Sequence, residues 1–205
     1  TFDAPIKQLA LQFMRKPVEV QVSSQNTVAQ TVNHIAHPVD TAKKRDLLMH
    51  ILSERYQDQI LVFVKTKHLC NRIAEQITKD GIPALAIHGN KSQGQRLKAL
   101  ADFKAGNVRV LCATDVAARG LDIPLLPLVI NFDMPMVAED YVHRIGRTGR
   151  AGSNGDAISL VATDEGGLLR AVNRLLKQNI VLEAKAGFEP LHAMRMDLTP
   201  PGRGR

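Results

Sequence analysis

The chain has 205 residues, of which 44% are apolar and 23% charged, so it can bury the core of one domain. Its 27 Lys and Arg against 20 Asp and Glu give a formal net charge of +7, which favours phosphate-bearing partners. The two cysteines exclude a disulfide scaffold and CxxC-type zinc sites, and no apolar run or N-terminal pattern marks a membrane span or a secretory signal. We therefore expect a soluble, cytoplasmic protein without a membrane partner; the oligomeric state is left open.

The N-terminal segment predicts a helix over the first fifteen residues, with Asp3 as N-cap and Pro17 after its end. Its apolar residues form one stripe, namely Ile6, Leu9, Ala10, Phe13 and Met14. Alternating valines predict a strand over 18–22, and a second strand follows over 32–39, where Pro38 favours an edge position. A helix that begins with the chain suggests a piece of a longer protein.

From about residue 42 onward, helical and strand patterns alternate. Helices are predicted over about 42–56, 66–80, 92–105, 138–145 and a segment ending near 178, and strands over 60–64, 83–87, 108–113, 128–132 and 157–162. Continuous Val, Ile and Leu strands alternating with amphipathic helices predict an α/β fold, a doubly wound parallel sheet with helices on both faces. The periodicity fades after Leu182, so we assign 1–182 to the domain and 183–205 to a flexible C-terminal extension.

Three loops of this predicted sheet carry a hydroxyl or a glycine where a strand gives way to a helix: 65–67, 88–93 and 114–122. In parallel sheets the carboxyl ends of the strands share one edge, and helix N-termini there bind anions. Thr66, Ser92 and Thr114 could each be a simple helix cap. Their joint occurrence with Lys65, Lys91 and Arg96 nearby instead favours a strip of successive phosphates along this edge.

A fourth loop, after the predicted helix over 138–145, concentrates arginines. Arg144 has Asp140 four residues before it, and His143 has Glu139, which predicts ordinary helix-face pairs.

Arg147 and Arg150 have no carboxylate at helical spacing and are flanked by Gly146, Gly149 and Gly152. The glycines would let the backbone approach a ligand closely. The two guanidinium groups would then be available for phosphate oxygens.

Motifs that the sequence lacks limit its chemistry. No GxxxxGK[ST] occurs, so no loop of this chain can hold the β- and γ-phosphates of a nucleotide and seat Mg²⁺. Asp133 is then interpreted as a turn residue at a strand end, and His34 and His37 as structural residues. We predict no metal site and no nucleophile–base pair.

Four long segments resemble the ordered motifs of the second RecA-like lobe of DEAD-box ATP-dependent RNA helicases. They are HGNKSQGQR (88–96), ATDVAARGLDIP (113–124), VINFDMP (129–135) and YVHRIGRTGRAG (141–152), and ILVFVKTK (60–67) resembles a further motif. The resemblance runs from about Thr1 to Ile180 and implies a P-loop NTPase-like lobe without its own P-loop. Segments 88–94 and 187–190 most resemble the bacterial RhlE-type branch.

The resemblance also implies roles for individual residues. Arg147 and Arg150 match the arginine fingers that contact the γ-phosphate of ATP, Asp122 the residue that binds the ribose, and His143 one that links the ATP site to the facing lobe. Gly120, in a motif that contacts RNA, is counted with the nucleotide-binding residues. The remaining matched positions hold the RNA sugar-phosphate backbone: Thr66, Gly89, Gln93, Arg96 and Thr114. Gly166 and Gly167 depart from the family by weakening the start of the last helix.

These implications predict an ATP-dependent RNA helicase in the full-length protein. ATP and Mg²⁺ would be held mainly by the N-terminal RecA-like lobe of the same protein, and single-stranded RNA or a short duplex would bind without sequence preference. The isolated chain would have no ATPase activity. Two alternatives stay open, a stand-alone RNA-binding RecA-like module and a metabolic nucleotide-binding enzyme.

Overall fold

The computed structural model of the chain describes residues 4–14, 18, 32–123, 126–149 and 154–195. Seven strands are present: β1 (Val32–Pro38), β2 (Ile60–Phe63), β3 (Ala84–Ile87), β4 (Val110–Ala113), β5 (Leu128–Asn131), β6 (Gly155–Val161) and β7 (Val181–Leu182). The α-helices are α1 (Ala4–Phe13), α2 (Lys44–Glu54), α3 (Lys67–Lys79), α4 (Gln93–Lys104), α5 (Asp115–Ala118), α6 (Ala138–Ile145) and α7 (Gly166–Leu176). None of the described helices is long and apolar enough to cross a membrane.

The strands form one parallel sheet in the order β3-β4-β2-β5-β6-β1-β7, which confirms the predicted fold class. The short strands β2, β4 and β5 are buried along their whole length because helices cover both faces. Alternate residues face opposite ways: Val62 packs in a cluster with α2 and α3, whereas Leu61 packs with α4 and α5. A third cluster joins α6 and α7 to β1 and β6.

Strand β1 is not at the edge that Pro38 predicts, because it lies between β6 and β7. Val39 donates its N–H to Val161 of β6, so the neighbouring Pro38 nitrogen faces the other side of the strand. On that side the two-residue strand β7 pairs only with Ile35 and Ala36. The Pro38 nitrogen therefore faces a region beyond the end of β7. Its lack of an N–H costs no hydrogen bond between the strands.

Helix α1 forms within the predicted range, and the large described residues of its apolar stripe lie at the surface. Leu9, Phe13 and Met14 are exposed, Phe13 by 82%. Val18, the described residue of the predicted strand over 18–22, is exposed too, and the rest of that strand lies outside the described residues.

The C-terminal segment 183–195 crosses the start of α7 at close range. Arg195 donates its N–H to Thr163 at 3.0 Å, and a Cβ on Gly166 would lie 2.6 Å from the Arg195 carbonyl oxygen. Phe188 and Met194 pack against two of the core clusters. Gly166, at the buried start of α7, thus permits the close approach of the Arg195 backbone. This packing role is additional to the expected weakening of the helix start. The predicted flexibility of residues 196–205 concerns a part of the chain outside the described residues.

Replacing Gly166 by alanine is expected to lower the free energy of unfolding of the 205-residue chain by roughly 1–3 kcal/mol, because the new methyl group meets backbone atoms. The matched control is Gly94→Ala in α4, where a Cβ meets nothing within 4 Å. This control should be neutral or stabilising by up to about 1 kcal/mol. Urea unfolding measures both, and equal effects of the two changes would contradict the close approach.

Candidate phosphate-binding edge of the sheet

The three predicted phosphate loops follow three neighbouring strands. Strand β4 lies between β3 and β2, and Ile87, Ala113 and Phe63 at their carboxyl ends are in register. The loops over 65–67, 88–92 and 114–115 therefore lie side by side, at strand spacings of about 4.8 Å. This arrangement brings together the residues that the sequence analysis places on one edge.

Two of the three hydroxyl groups in these loops act as helix caps. The Thr66 hydroxyl accepts from the Leu69 N–H at 3.2 Å, and the Ser92 hydroxyl accepts from Gln95 N–H at 3.3 Å in a capping box. Thr114 makes no such side-chain cap for the short helix α5. Among the three, only the Thr114 hydroxyl is therefore not used to begin a helix.

Side-chain bonds connect the loop after β2 with the loop after β3. Lys67 Nζ donates to Asn90 Oδ1 at 3.2 Å, and His88 lies between the Asn90 N–H (3.3 Å from Nδ1) and Asn71 Oδ1 (2.9 Å from Nε2). Burial lowers the pKa of His88, and the charge of Lys91 lowers it further. The neutral imidazole, accepting at Nδ1 and donating at Nε2, holds the second loop in place.

The other predicted RNA contacts follow β3, in the loop after this strand and in the first turn of α4. Gly89 and Gln93 are exposed, and a Cβ on Gly89 would meet no protein atom within 4 Å. Arg96 donates to the Ala117 carbonyl at 3.2 Å and thereby joins α4 to α5. The fold does not require glycine at position 89 for space, and the surface above it is open to a ligand.

Arg144 is buried rather than paired along the helix face. Its side chain is 2% exposed, and it donates to both carboxylate oxygens of Asp115 at 2.6 and 2.8 Å. The same guanidinium donates to Asn131 Oδ1 at 3.0 Å and to the Asp133 carbonyl at 2.7 Å, and it lies 5.0 Å from the centre of the Phe63 ring. Arg144 thus links the carboxyl ends of β2, β4 and β5.

The predicted pair of Arg144 with Asp140 is therefore wrong, because the bidentate geometry of Asp115 draws the guanidinium inward. Asp140 instead pairs with Arg119 and lies 3.7 Å from Nδ1 of His143. These contacts bridge α5 and α6 at the rim of the sheet.

Asp133 is a turn residue at the end of β5, as predicted, and it accepts the Lys65 N–H at 2.8 Å. A buried lysine that the sequence analysis does not identify lies beneath it. Lys44 donates to the Phe132 carbonyl at 2.9 Å and to Glu165 at 2.5 Å, and lies 3.8 Å from Asp133. Lys44 would have been hard to predict, since it is adjacent to exposed charged residues in the sequence.

Arg147 lies next to the loop between α5 and β5. Its guanidinium donates to the carbonyl oxygens of Leu121 at 3.0 Å and Ala118 at 3.4 Å. Gly120, at φ +72°, turns the backbone between these two carbonyls. Two backbone carbonyl oxygens thus orient the Arg147 side chain. Arg150 lies outside the described residues.

Asp122 projects into solvent beside this loop. Its side chain is 92% exposed and accepts from Lys104 Nζ at 2.5 Å. The bond from Lys104 holds the pKa of Asp122 below its ordinary value, and the charge of Arg147 adds to this effect. Asp122 therefore stays ionised and can accept a hydrogen bond from a ligand hydroxyl.

A small open cleft lies between α5 and α6. Its polar walls come from Asp115, Arg119, Asp140, His143, Arg144 and Arg147. Asp115 pairs with Arg144 and Asp140 pairs with Arg119, so with Arg147 the cleft carries three guanidinium groups against two carboxylates, a balance that favours an anion. In the described ranges no group of three or more His, Cys, Asp or Glu could hold a metal ion.

Comparisons with known proteins match this chain over most of its length. Residues 43–152 match the family described as helicase conserved C-terminal domain. The chain is 41% identical to the ATP-dependent RNA helicase DBP2 of Candida glabrata, covering 98% of this chain and 37% of that protein. It is also 41% identical to the DEAD-box ATP-dependent RNA helicase CshA of Bacillus subtilis, covering 88% of this chain and 36% of that protein. The chain therefore spans little more than a third of these relatives.

Two solved structures share the fold. The Escherichia coli DEAD-box protein SrmB, bound to regulator of ribonuclease activity A, superposes with a TM-score of 0.75 at 36% identity, covering 80% of this chain and 97% of that one. Dbp5 of Saccharomyces cerevisiae, bound to RNA and ADP BeF3, gives a TM-score of 0.77 at 27% identity, covering 93% of this chain and 49% of that one.

Proposed function

We propose a function for this chain on the premise that it is the C-terminal helicase domain of a DEAD-box RNA helicase, the family to which it belongs. Within a longer protein, it acts as the second RecA-like lobe of an ATP-dependent RNA helicase. It supplies Arg147 and Arg150 to the γ-phosphate of ATP bound in the cleft with an N-terminal lobe. It also holds single-stranded RNA by the sugar-phosphate backbone, and closure of the two lobes separates short duplexes.

The observation that carries the proposal is the placement of two anion-binding surfaces on one edge of the sheet. The loops after β2, β3 and β4 lie side by side, and the arginine-lined cleft between α5 and α6 adjoins the last of them. A strip of loops suits the successive phosphates of one RNA strand, contacted by Thr66, Gly89, Gln93, Arg96 and Thr114. The adjoining cleft is small and suits the terminal phosphate of a nucleotide that the N-terminal lobe holds.

On the nucleotide side, Asp122 offers an ionised carboxylate to the ribose, next to Arg147 and Gly120. His143, at the rim of the cleft, contacts the facing lobe. That lobe binds Mg²⁺ and most of the ATP, because this sequence contains no GxxxxGK[ST] loop to hold the β- and γ-phosphates. Membership of the RhlE-type branch and a cytoplasmic location stay predictions.

The RNA surface is tested by the salt dependence of single-stranded RNA binding to the 205-residue chain. Arg96→Gln is expected to weaken binding several-fold and to reduce the slope of log affinity against log salt by about 0.7, because one phosphate contact is lost. Arg170→Gln, which removes an equal charge from an exposed position on α7, is the matched control and should change neither quantity. Equal losses in the two variants would contradict the proposed RNA path.

The alternative of a stand-alone RNA-binding module predicts the same binding results but no ATP hydrolysis in any form of the protein. RNA-stimulated hydrolysis by the longest natural protein that contains this chain, and none by the chain alone, is expected from the helicase proposal. Hydrolysis by neither would favour the alternative.

A further inference from the structure

Helix α6 is attached to the sheet by two polar side chains on its buried face. Tyr141 and Arg144 are one turn apart, and they are 0% and 2% exposed. The Tyr141 hydroxyl forms a hydrogen bond at 2.9 Å with Nδ1 of His34 in β1, and it lies beside Ser159 of β6. Burial raises the pKa of Tyr141 well above its ordinary value, so its hydroxyl stays protonated.

The hydrogen bonds of Arg144 continue into the sheet. Arg144 donates to Asn131 Oδ1 at 3.0 Å, and Asn131 Nδ2 donates to the Ser159 hydroxyl at 3.1 Å. Asn131 and Ser159 are both fully buried and opposite each other in the paired strands β5 and β6. Ser159 lies beside Tyr141, so this polar path leads from one buried side chain of α6 to the other.

These buried hydrogen bonds constrain α6 in a way that apolar packing cannot. Apolar contacts are non-directional, so a helix held by them alone can slide or rotate slightly at little cost. A rotation of α6 would break a buried hydrogen bond at Tyr141 or at Arg144 and leave its partner unsatisfied. Arg147 follows Arg144 by three residues, directly after the end of α6. Its position is therefore set by the rotation of this helix.

We propose that Tyr141, Ser159 and Asn131 are positioning residues that fix the rotation of α6 and thereby aim Arg147 at the transferred phosphate. None of the three touches the ligand; they act through Arg147. The inference rests on the proposed function, because it concerns the geometry of the residue assigned to the γ-phosphate. Displacements of about 1 Å at such a residue are enough to lower a reaction rate substantially.

The test is a double-mutant cycle between Tyr141 and Arg147 in the longest natural protein that contains this chain. Tyr141→Phe removes one oxygen atom and keeps the packing of the ring. It is expected to lower kcat of RNA-stimulated ATP hydrolysis about tenfold, with KM for ATP unchanged. In an Arg147→Ala background the same change should lower kcat no further, because the effect is transmitted through Arg147.

The chain offers a matched control, Tyr56→Phe, since Tyr56 is 67% exposed. Thermal unfolding of each variant ensures that folded protein is compared, and Ser159→Ala replaces Tyr141→Phe if the latter does not fold. A kcat for Tyr141→Phe equal to that of Tyr56→Phe overturns the inference, as does a tenfold loss that persists in the Arg147→Ala background. If Arg147→Ala itself leaves kcat unchanged, the role of Arg147 in the proposed function fails as well. If Arg147→Ala lowers kcat and Tyr141→Phe does not, only the positioning role fails.

Discussion

Replacing Arg147 by lysine in the longest natural protein that contains this chain is expected to lower RNA-stimulated ATP hydrolysis by about 10³-fold, the effect of losing an arginine finger. The planar guanidinium is oriented by the carbonyl oxygens of Leu121 and Ala118, and its five N–H donors form a fixed fork. An ammonium group is a point charge that cannot reproduce this geometry. Phosphate release, measured at saturating ATP and RNA, gives the rate.

Arg170→Lys is the control for this experiment, because Arg170 is exposed on α7 and lines neither anion-binding surface. It should leave the rate unchanged, and both variants should unfold at the temperature of the parent. A rate for Arg147→Lys within twofold of the parent would remove Arg147 from the proposed catalytic role. The same replacement at Arg150 tests the second proposed finger independently.

Arg144→Met is expected to lower the free energy of unfolding of the 205-residue chain by about 3–5 kcal/mol. Methionine fills much of the space but provides no donor, so Asp115, Asn131 and the Asp133 carbonyl all lose a partner. Removing one member of a buried ion pair leaves the other charge uncompensated, which accounts for the size of the effect. Urea unfolding followed by circular dichroism measures it.

Arg119→Met provides the matched comparison, since Arg119 and Asp140 also join α5 to α6. The Arg119 side chain is 55% exposed, so water screens the pair and replaces its hydrogen bonds when it is lost. We expect a loss of no more than about 1 kcal/mol. Similar losses for the two arginines would show that Arg144 does not organise the edge of the sheet.

The architecture of the domain could be predicted because its signals are local. Uninterrupted apolar runs mark the buried strands, and α6 begins and ends at the predicted residues Ala138 and Ile145. The parallel arrangement then places every strand-to-helix loop on one edge, whatever the strand order. The sequence therefore predicts that the loops after β2, β3 and β4 lie on the same edge of the sheet. It does not predict that these three strands are directly adjacent.

The errors arise where the partner of a residue is distant in the sequence. Helical spacing predicts that Arg144 pairs with Asp140, but the carboxylate that Arg144 contacts is that of Asp115, 29 residues away. The sequence does indicate that a polar side chain must be buried near β5 and β6. Asn131 and Ser159 are polar residues inside these apolar strands and require buried partners.

The same limit explains the position of β1 and the orientation of α1. Pro38 shows that one backbone donor of β1 is missing. The sequence around it does not show that β7, which is far along the chain, pairs with this side of β1. The stripe on α1 indicates an amphipathic helix without indicating what it packs against, and Phe13 is exposed here.

The buried hydrogen bonds of Arg144, Asn131 and Ser159 have a consequence for sequence change. Asn131 accepts from Arg144 and donates to Ser159, so one replacement strands a hydrogen-bonding group in the protein interior. We therefore expect an exchange at any of these three positions to require a compensating exchange at its partner. An exposed loop position such as Gly89 has no such buried partner, so ligand contacts there can diverge while this part of the scaffold stays the same.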